Sequence, residues 1–406
     1  MRLESENEDK LSTLNDDILL SILGRIDIRT AVRISVLSTR WKHLPWLLHE
    51  LTIDAKDFLP VTCPNPIEAE HMDKAMASLT EVARSFLATP CSKSTIAKLQ
   101  LRLYLVNSYS DIIGPLVSDA INIGTVKDLD LAILDEKEPD DCYDEEMLQQ
   151  ARSVDGFFSA YPSVLNCLTR LSLYNIWFAE WDTHHLLFDC CKQLQHLYLA
   201  NWKLEVICLP KLERLRWKTW ICPKAPLSLY GVPSLKDLDL DCAATIDHKG
   251  FKLSEVLCDT TATQNLTLNF KEKRPKGKQL SAAFINKLKK LYLHGIFVEF
   301  DLLWTIVLIE AAPSVELFDL EITGFCPLEQ QMTFLRIVIE QSPNLQTIVL
   351  NDYLPCEQCE KSGAPPRSER LSPECAFPKA KSEHGMILKQ LIGDMSSCNV
   401  QILFGN

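Results

Sequence analysis

The chain contains little glycine and none of the glycine motifs that bind phosphate or position a catalytic serine. Only 13 of its 406 residues are glycine, and the patterns GxxxxGK, GxGxxG and GxSxG are absent. These patterns mark P-loop proteins, dinucleotide-binding enzymes and serine hydrolases. No set of nucleophile, base and orienting group stands out elsewhere. We therefore expect no catalytic residues and no cofactor.

The chain also lacks long apolar runs and an excess of positive charge. No apolar run reaches the roughly 18 residues needed to span a bilayer, and the N-terminus MRLESENEDK is unlike a signal peptide. The net charge of -12 at pH 7 argues against general attraction to nucleic acid or anionic lipid. We expect an intracellular protein, nuclear or cytoplasmic, that binds neither nucleic acid nor membranes and whose 15 cysteines are free thiols.

Residues 10–51 have the pattern of three short helices. Asn15 can cap the first helix, Asp27 the second and Ser38 the third, with Pro45 disturbing the end of the third. Three short helices bury too little surface to be secure alone, so the segment should pack on a partner or on the following domain. The apolar residues at helical spacing in the first helix are Ile18, Leu19, Ile22, Leu23 and Ile26.

This segment resembles the F-box. Asn15 stands where the family usually has proline and Ile26 where it usually has leucine, but neither change removes apolar surface. Residues that follow the family pattern are Leu14, Asp16, Asp17, Ile18, Leu19, Ile22, Leu23, Ile26, Ala31, Val32, Ser35, Leu37, Ser38, Arg40 and Trp41. The resemblance implies docking to a Skp-type adaptor of a cullin-RING ubiquitin ligase. The residues predicted to form the surface shared between the F-box core and the adaptor are Leu14, Asp16, Ile18, Leu19, Ile22, Leu23, Ile26 and Trp41.

From Thr95 to Asn351 a six-residue pattern recurs with apolar residues at its first, fourth and sixth positions. Successive copies are mostly about 23 to 30 residues apart, the period of leucine-rich repeats. Each copy predicts a short strand whose fourth and sixth residues point inward, followed by a return segment. The copies end at Leu101, Leu131, Leu173, Leu199, Trp217, Leu240, Leu268, Leu293, Leu320 and Leu350.

The predicted fold is a small three-helix F-box followed by an irregular leucine-rich-repeat solenoid with a parallel sheet, α+β in the first part and α/β in the second. The predicted boundaries are 8–52 for the F-box, 53–94 for a linker and N-terminal cap, 95–354 for the repeats and 355–406 for a loop and C-terminal cap. Segments Ile309–Leu320 and Ser342–Leu350 strengthen a resemblance to plant F-box proteins with leucine-rich repeats and an FBD-like C-terminal region. The acidic run 135–146 is most simply a solvated loop, with a contact element as the alternative.

The C-terminal region predicts a cap over the last repeat. A final helix and strand would cover the open edge of the sheet. The apolar residues assigned to this cap are Met386, Leu388, Leu391, Ile402 and Phe404.

Two clusters contain residue types that bind zinc. Cys356 and Cys359, with Cys375 and His384 downstream, lack the second half of a zinc motif, so free thiols are expected. The cluster His184–Cys191 lies on a predicted return helix, where core packing explains its cysteines. We predict no metal site.

The outward residues of two successive repeats carry opposite charges. If these strands are neighbours in register, their charges face one another across roughly 4.8 Å. The structural interpretation is a ladder of ion pairs, and the functional interpretation is a platform for a protein substrate, flanked by Trp220, Asn265, Thr267 and Asn269. The residues of the predicted platform are His196, Tyr198, Arg214, Arg216, Lys218, Asp237, Asp239 and Asp241.

The function predicted on this basis is substrate recognition for an SCF-type ubiquitin ligase, without catalysis by the chain itself. The F-box would dock the adaptor, and the repeats would capture an unidentified protein substrate. Two alternatives remain open: an interaction scaffold outside any ligase, and a solenoid that needs a small-molecule co-ligand.

Overall fold

The computed structural model describes residues 14–36, 40–64, 67–88, 95–105, 107–137, 141–177, 190–203, 206–220, 228–229, 231–242, 262–269, 287–297, 315–342, 344–352, 377–393 and 400–405. The chain divides into two compact units, Met1–Leu194 and Gln195–Asn406. Of the twelve described strands in the long parallel order, four lie in the first unit and eight in the second. No helix in these ranges is long and apolar enough to cross a membrane.

The first unit begins with three short helices, α1 (Asp16–Leu23), α2 (Ile28–Ser35) and the 3-10 helix η1 (Trp41–Leu47). Asn15 Oδ1 accepts a hydrogen bond from Ile18 N at 2.9 Å, and Asp27 Oδ1 accepts one from Thr30 N at 2.8 Å. Both predicted helix starts are therefore confirmed. The third helix is of the 3-10 type and contains Pro45, which has no N–H to donate to an α-helical bond. Its predicted cap, Ser38, lies outside the described residues.

Four strands form the sheet of the first unit: β1 (Glu50–Asp54), β2 (Ile96–Leu103), β3 (Val126–Ile133) and β4 (Leu168–Trp177). They lie in chain order, and each pairs in parallel with the next. The sheet begins at β1, inside the range predicted to be F-box, because residues 48–53 (LHELTI) repeat the hexamer pattern. Its side chains Leu51 and Ile53 are fully buried.

The connections of the first unit are mainly helical. Residues 53–94, predicted to be a linker and cap, contain the 3-10 helix η2 (Ala55–Phe58) and the helix α3 (Ala69–Leu87). Helix α3 buries one face through residues that include Met76, Leu79 and Ala83, at the helical spacing of three and four. The remaining helices of this unit are α4 (Asn107–Asn122), α5 (Asp144–Ala160) and α6 (Pro162–Cys167).

The second unit contains a longer sheet of the same kind. Its strands are β5 (His196–Lys203), β7 (Arg214–Trp220), β9 (Asp237–Cys242), β10 (Asn265–Asn269), β11 (Lys290–Phe297), β12 (Leu317–Thr323), β13 (Leu345–Asn351) and β14 (Gln401–Gly405). Each pairs in parallel with the next in this order. Two short strands, β6 (Val206–Ile207) and β8 (Ser228–Leu229), form a separate parallel pair. The described helices are α7 (Glu329–Gln341) and α8 (Lys381–Ile392).

A backbone hydrogen-bond pattern repeats at the start of successive strands in the second unit. The Gln195 carbonyl accepts from the N–H groups of Glu213 and Arg214, at 2.8 and 3.0 Å. The carbonyls of Glu213, Lys236, Gln264 and Lys289 each accept from two consecutive N–H groups of the following strand in the same way. This shared acceptor satisfies the backbone where each strand begins and fixes the register between neighbours.

The inward residues of the hexamers form the core of both sheets. In LTRLSL, the residues Leu168, Leu171 and Leu173 are all buried, as the pattern predicted. The copy LERLRW, which ends in tryptophan rather than leucine, places Trp217 in the interior with no exposed surface. Thr263 is equally buried at the first position of TQNLTL, and its hydroxyl donates to the Leu235 carbonyl at 3.3 Å. That hydrogen bond lets a polar residue occupy an apolar position.

The C-terminal helix and strand lie where the cap was predicted. Strand β14 pairs in parallel with β13, and the ring of His384 on α8 stacks on Phe404 with centroids 3.9 Å apart. Helix α8 buries Ile387 and Leu391, whereas Met386 is 60% exposed. The prediction is confirmed for Leu391 and wrong for Met386, because the buried stripe of the helix passes through Ile387.

The described residues of the acidic run 135–146 make more contacts than a solvated loop would. Glu136 accepts from the buried Tyr104 hydroxyl at 2.5 Å and pairs with Lys56 Nζ at 2.8 Å. Burial, together with this hydrogen bond, raises the pKa of Tyr104. Asp135 Oδ2 accepts from Asn175 Nδ2 at 3.0 Å, and Asn175 has a left-handed φ of 52°. The run therefore ties together the ends of the strands in the first unit.

Among the described residues, six cysteines are free thiols and Cys326 is in a disulfide. Cys63, Cys142, Cys167, Cys190, Cys191 and Cys208 are free, as expected. Burial raises the pKa of Cys191 to about 12, so it packs as a neutral, small apolar residue. Cys326 is disulfide-bonded, which corrects the expectation of a free thiol at that position.

Two helical glycines give a matched test of the packing in the first unit. A Cβ atom at Gly114 in α4 would overlap the Tyr161 ring, whereas one at Gly156 in α5 would meet nothing. We expect Gly114→Ala to lower the free energy of unfolding by about 1–3 kcal/mol through overpacking. Gly156→Ala should raise it by about 0.5–1 kcal/mol through helix propensity. Urea denaturation of both variants measures the difference, and equal effects would contradict the described packing.

Candidate functional site

Helix α1 has two apolar faces with different surroundings. Leu19 and Leu23, four residues apart, are fully buried within the first unit. Ile18 and Ile22 lie four residues apart on the adjacent face, where Ile18 is 46% exposed and Ile22 is half-buried. A partly exposed apolar pair next to a filled core suits a protein contact surface.

The other predicted adaptor residues divide in the same way. Trp41 is buried and supports the module from within, whereas Leu14 and Ile26 are half-buried. The Asp16 carboxylate accepts from Arg40 Nη2 at 2.8 Å, and the same guanidinium reaches the Leu14 carbonyl at 2.5 Å. Of the predicted set, Leu19, Leu23 and Trp41 therefore hold the module together rather than present a surface.

Sequence reasoning missed two exposed apolar residues of this module. Val36, which follows α2, is 84% exposed, and Leu47 ends η1 with much of its side chain exposed. Val36 follows Ser35 directly in the stretch used for the F-box resemblance. The sequence signal for such a surface residue is an apolar side chain at a helix end, outside the positions that form the core.

The helical module packs directly on the rest of the first unit. The Trp46 ring stacks on Phe86 of α3 with centroids 5.2 Å apart, and Trp46 Nε1 donates to the Ser85 carbonyl at 3.3 Å. Arg29 of α2 donates to the Asp57 carbonyl at 3.3 Å. These contacts supply the support that three short helices lack on their own.

The outward side chains of β7 and β9 form the predicted ladder of ion pairs. Arg214 aligns with Asp237 and Arg216 with Asp239, and the nitrogen–oxygen distances are 2.8 and 2.7 Å. Asp237 also accepts from Asn265 Nδ2 on β10. The arginine side chains are 59% and 52% exposed, whereas Asp237 and Asp239 are 26% and 29% exposed. The ladder therefore presents its cations to solvent and shields its carboxylates.

The remaining residues of the predicted platform differ in their exposure and in their alignment with neighbouring strands. His196 and Tyr198 align with Arg214 and Arg216 across β5 and β7 and are half-buried. Lys218 is half-buried, but a register shift after Trp217 removes its alignment with Asp241. Asp241 is buried, so its predicted place on the outward surface is wrong.

A second polar ladder, not predicted from the sequence, crosses β11, β12 and β13. His294 Nδ1 lies 2.7 Å from Glu321 Oε2, and Asn351 Nδ2 donates to Glu321 Oε1 at 2.7 Å. The hydrogen bond from His294, followed by the attraction of its charge and the bond from Asn351, lowers the pKa of Glu321 against the opposing effect of burial. The partners are 27 and 30 residues away in sequence, so only the register brings them together.

The described ranges contain no cluster of side chains that could bind a metal ion. No group of three or more His, Cys, Asp or Glu side chains there could hold a metal ion. Of the zinc-type cluster near the C-terminus, Cys356, Cys359 and Cys375 lie outside the described residues. His384 Nε2 lies 2.8 Å from the Pro378 carbonyl oxygen.

Comparison with known families identifies the class of the helical module. Residues 11–45 match the F-box domain, which spans α1, α2 and most of η1. The chain therefore carries an F-box domain at the position where the exposed face of α1 lies.

Two curated proteins of Arabidopsis thaliana are similar to parts of the chain. An F-box/FBD/LRR-repeat protein is 42% identical over 77 residues, which cover 19% of this chain and 16% of that protein. A second protein, also named as an F-box protein, is 52% identical over 40 residues, covering 10% of this chain and 34% of that protein. The chain thus spans well under half the length of either relative.

A solved structure from Bacteroides fragilis gives a weaker likeness. It is 13% identical with a TM-score of 0.30, and the match covers 63% of this chain and 67% of that chain. At this score, the likeness carries no argument about fold or function.

The lowered pKa of Glu321 generates a pH-dependent prediction. A carboxyl whose folded pKa is depressed adds stability above its unfolded pKa of about 4.3 and loses it as the pH falls through the folded pKa. We expect wild type to exceed Glu321→Gln in unfolding free energy near pH 5.5, by under about 1 kcal/mol because the pair is partly exposed. The difference should vanish at lower pH. Denaturation of both proteins from pH 6 to 3 tests this, with the exposed Glu340→Gln as control, and a constant difference would contradict it.

Proposed function

We propose that the chain is the substrate-recognition subunit of an SCF-type cullin-RING ubiquitin ligase. Its F-box would dock a Skp-type adaptor. The parallel strands, interpreted as leucine-rich repeats, would capture a protein for ubiquitination. Resemblance to F-box proteins supplies the ligase step, and the protein would act inside the cell, in the nucleus or cytoplasm.

The observation that carries this proposal is the exposed Ile18–Ile22 face of α1 within the segment that matches the F-box domain. Leu19 and Leu23 fill the core beneath it, so the helix can keep its fold while the adjacent face binds another protein. Burying one such aliphatic side chain in an interface is worth about 1.5–3 kcal/mol. A contact of this kind suits a docking module rather than a catalytic site.

The mechanism would be proximity. Binding of the adaptor at one part of the chain and of the substrate at another raises the effective concentration of a substrate lysine near the ubiquitin carrier. The chain itself would form and break no covalent bond. Its contribution is the geometry of the two contacts.

The outward face of the second unit is the proposed substrate surface. Aromatic and arginine side chains are common anchors of protein interfaces, and this face presents Tyr198, Arg214 and Arg216. The ion pairs beneath the arginines hold the guanidinium groups in place before a partner binds. Such preorganisation lowers the entropic cost of association.

The adaptor contact can be tested with Ile18→Asp combined with Ile22→Asp. A charge on this face would have to be buried unpaired or break the contact. We expect at least a 30-fold loss of affinity, corresponding to about 2 kcal/mol. The measurement is copurification of a coexpressed Skp-type adaptor, followed by titration of the isolated proteins.

Two controls make the result specific. Ile123→Asp places the same charge on an exposed apolar residue outside the F-box domain and should leave adaptor binding intact. Circular dichroism should give the same melting temperature for the double variant as for wild type, since Leu19 and Leu23 are unchanged. A double variant that is folded and still binds the adaptor fully would reject the proposed contact.

A further inference from the structure

Three carboxylates on the outward face of the second unit have a basic neighbour on an adjacent strand. Asp237 pairs with Arg214, Asp239 with Arg216, and Glu321 with His294. Each of these carboxylates therefore has a basic partner across the strands. The register that buries the inward leucines also aligns these pairs.

Asp319 on β12 departs from this pattern. Its aligned neighbours are Tyr292 on β11 and Thr347 on β13, and neither carries a positive charge. Its Oδ1 atom is shielded from solvent and has no hydrogen-bond partner. A carboxylate that has lost water on one side without gaining a donor is stabilised by an incoming cation.

The nearest basic side chains on β11 leave this charge uncompensated. His294 is engaged with Glu321 at 2.7 Å. Lys290 is aligned with Leu317, two positions before Asp319 along β12, and is exposed. Among the described residues aligned with Asp319 or next to it on β11, none supplies an ion pair, and a bound partner could do so.

Tyr292 adds an aromatic contact beside this carboxylate. Its half-buried ring is parallel to that of His294, with an interplanar angle of 5° and centroids 6.4 Å apart. A lysine or arginine placed between a carboxylate and an aromatic ring gains both an ion pair and a cation–π contact.

Strand β7 presents positive charge to solvent, opposite in sign to Asp319. Arg214 and Arg216 are each more than half exposed above their carboxylates. Four strand steps separate β7 from β12, roughly 19 Å at 4.8 Å per step. An extended peptide covers that distance in about six residues.

We propose that this face binds an extended protein segment that runs across the strands, with a lysine or arginine on Asp319 and Tyr292. An acidic residue about six positions away along the segment meets Arg214 and Arg216. This inference rests on the proposed function, because it names the substrate class of the surface assigned there. Recognition depends on the separation of the two charges rather than on net charge.

The test uses full-length protein and fluorescent ten-residue peptides of equal composition. One peptide carries two aspartates and one lysine about six positions apart in a Ser/Gly background, made in both chain directions, and a control places the same charges side by side. We expect fluorescence anisotropy to give at least about tenfold tighter binding for the separated peptide in one direction. Replacing its lysine by glutamine should abolish that preference.

Matched protein variants locate the contacts. Asp319→Asn should lose the tenfold preference without lowering the melting temperature, because it removes an uncompensated charge. Glu316→Gln removes an equal charge just before the same strand, where Glu316 lies 3.9 Å from Lys289, and should bind like wild type. Exchanging Arg216 and Asp239 (Arg216→Asp with Asp239→Arg) keeps an ion pair but moves the cation one strand nearer, so the preferred charge separation should shorten by about 4.8 Å.

Equal binding of the separated and side-by-side peptides, or full binding by Asp319→Asn, would overturn the inference. A lower melting temperature of Asp319→Asn would do the same, since the side chain would then be structural. These outcomes are independent of adaptor binding. Loss of the adaptor contact alone would reject the ligase role and leave the peptide preference standing.

Discussion

The parallel register of the strands is the constraint on which the rest of the structure depends. Each inward leucine is covered by the leucines of the strands on either side, and shared carbonyl acceptors lock neighbouring strands together in the second unit. No strand can bury its own apolar face, so stability is a property of neighbours rather than of single repeats. This dependence explains why β1 and β14 extend the strand order beyond the residues that carry the clearest repeat pattern.

The same register determines the chemistry of the outward face. Side chains two residues apart on one strand meet equivalent side chains on the next, so a lysine- or arginine-rich strand beside an aspartate-rich strand becomes a ladder of ion pairs. Exposed ion pairs contribute little to stability. They do orient the guanidinium groups, which would otherwise occupy several rotamers. The pairing of carboxylates with basic groups stops at Asp319, whose aligned neighbours are Tyr292 and Thr347.

Much of this architecture could be predicted from the sequence, and the failures have physical causes. The hexamers identify the strands because leucines at fixed positions must be buried together, and Asn15 and Asp27 identify helix starts because their side chains replace missing backbone acceptors. The first strand was missed because most of residues 48–53 fell inside the range 8–52 that was assigned to the F-box. The Glu321 ladder was missed because its partners are about one repeat away, and the register shift after Trp217 takes Lys218 out of alignment with Asp241. The sequence pattern also could not distinguish the buried Leu19 from the exposed Ile18. Both are aliphatic residues of α1, and only the packing of the helix determines which of them faces the core.

In the proposed function, the F-box domain and the outward face of the second unit bind different partners. Hydrogen exchange of the full chain, with and without a purified Skp-type adaptor, tests this division most directly. Slower exchange in residues 14–36, with unchanged exchange in strands β5 to β13, is the predicted result. Protection confined to those strands, or no protection of residues 14–36 at saturating adaptor, would contradict it.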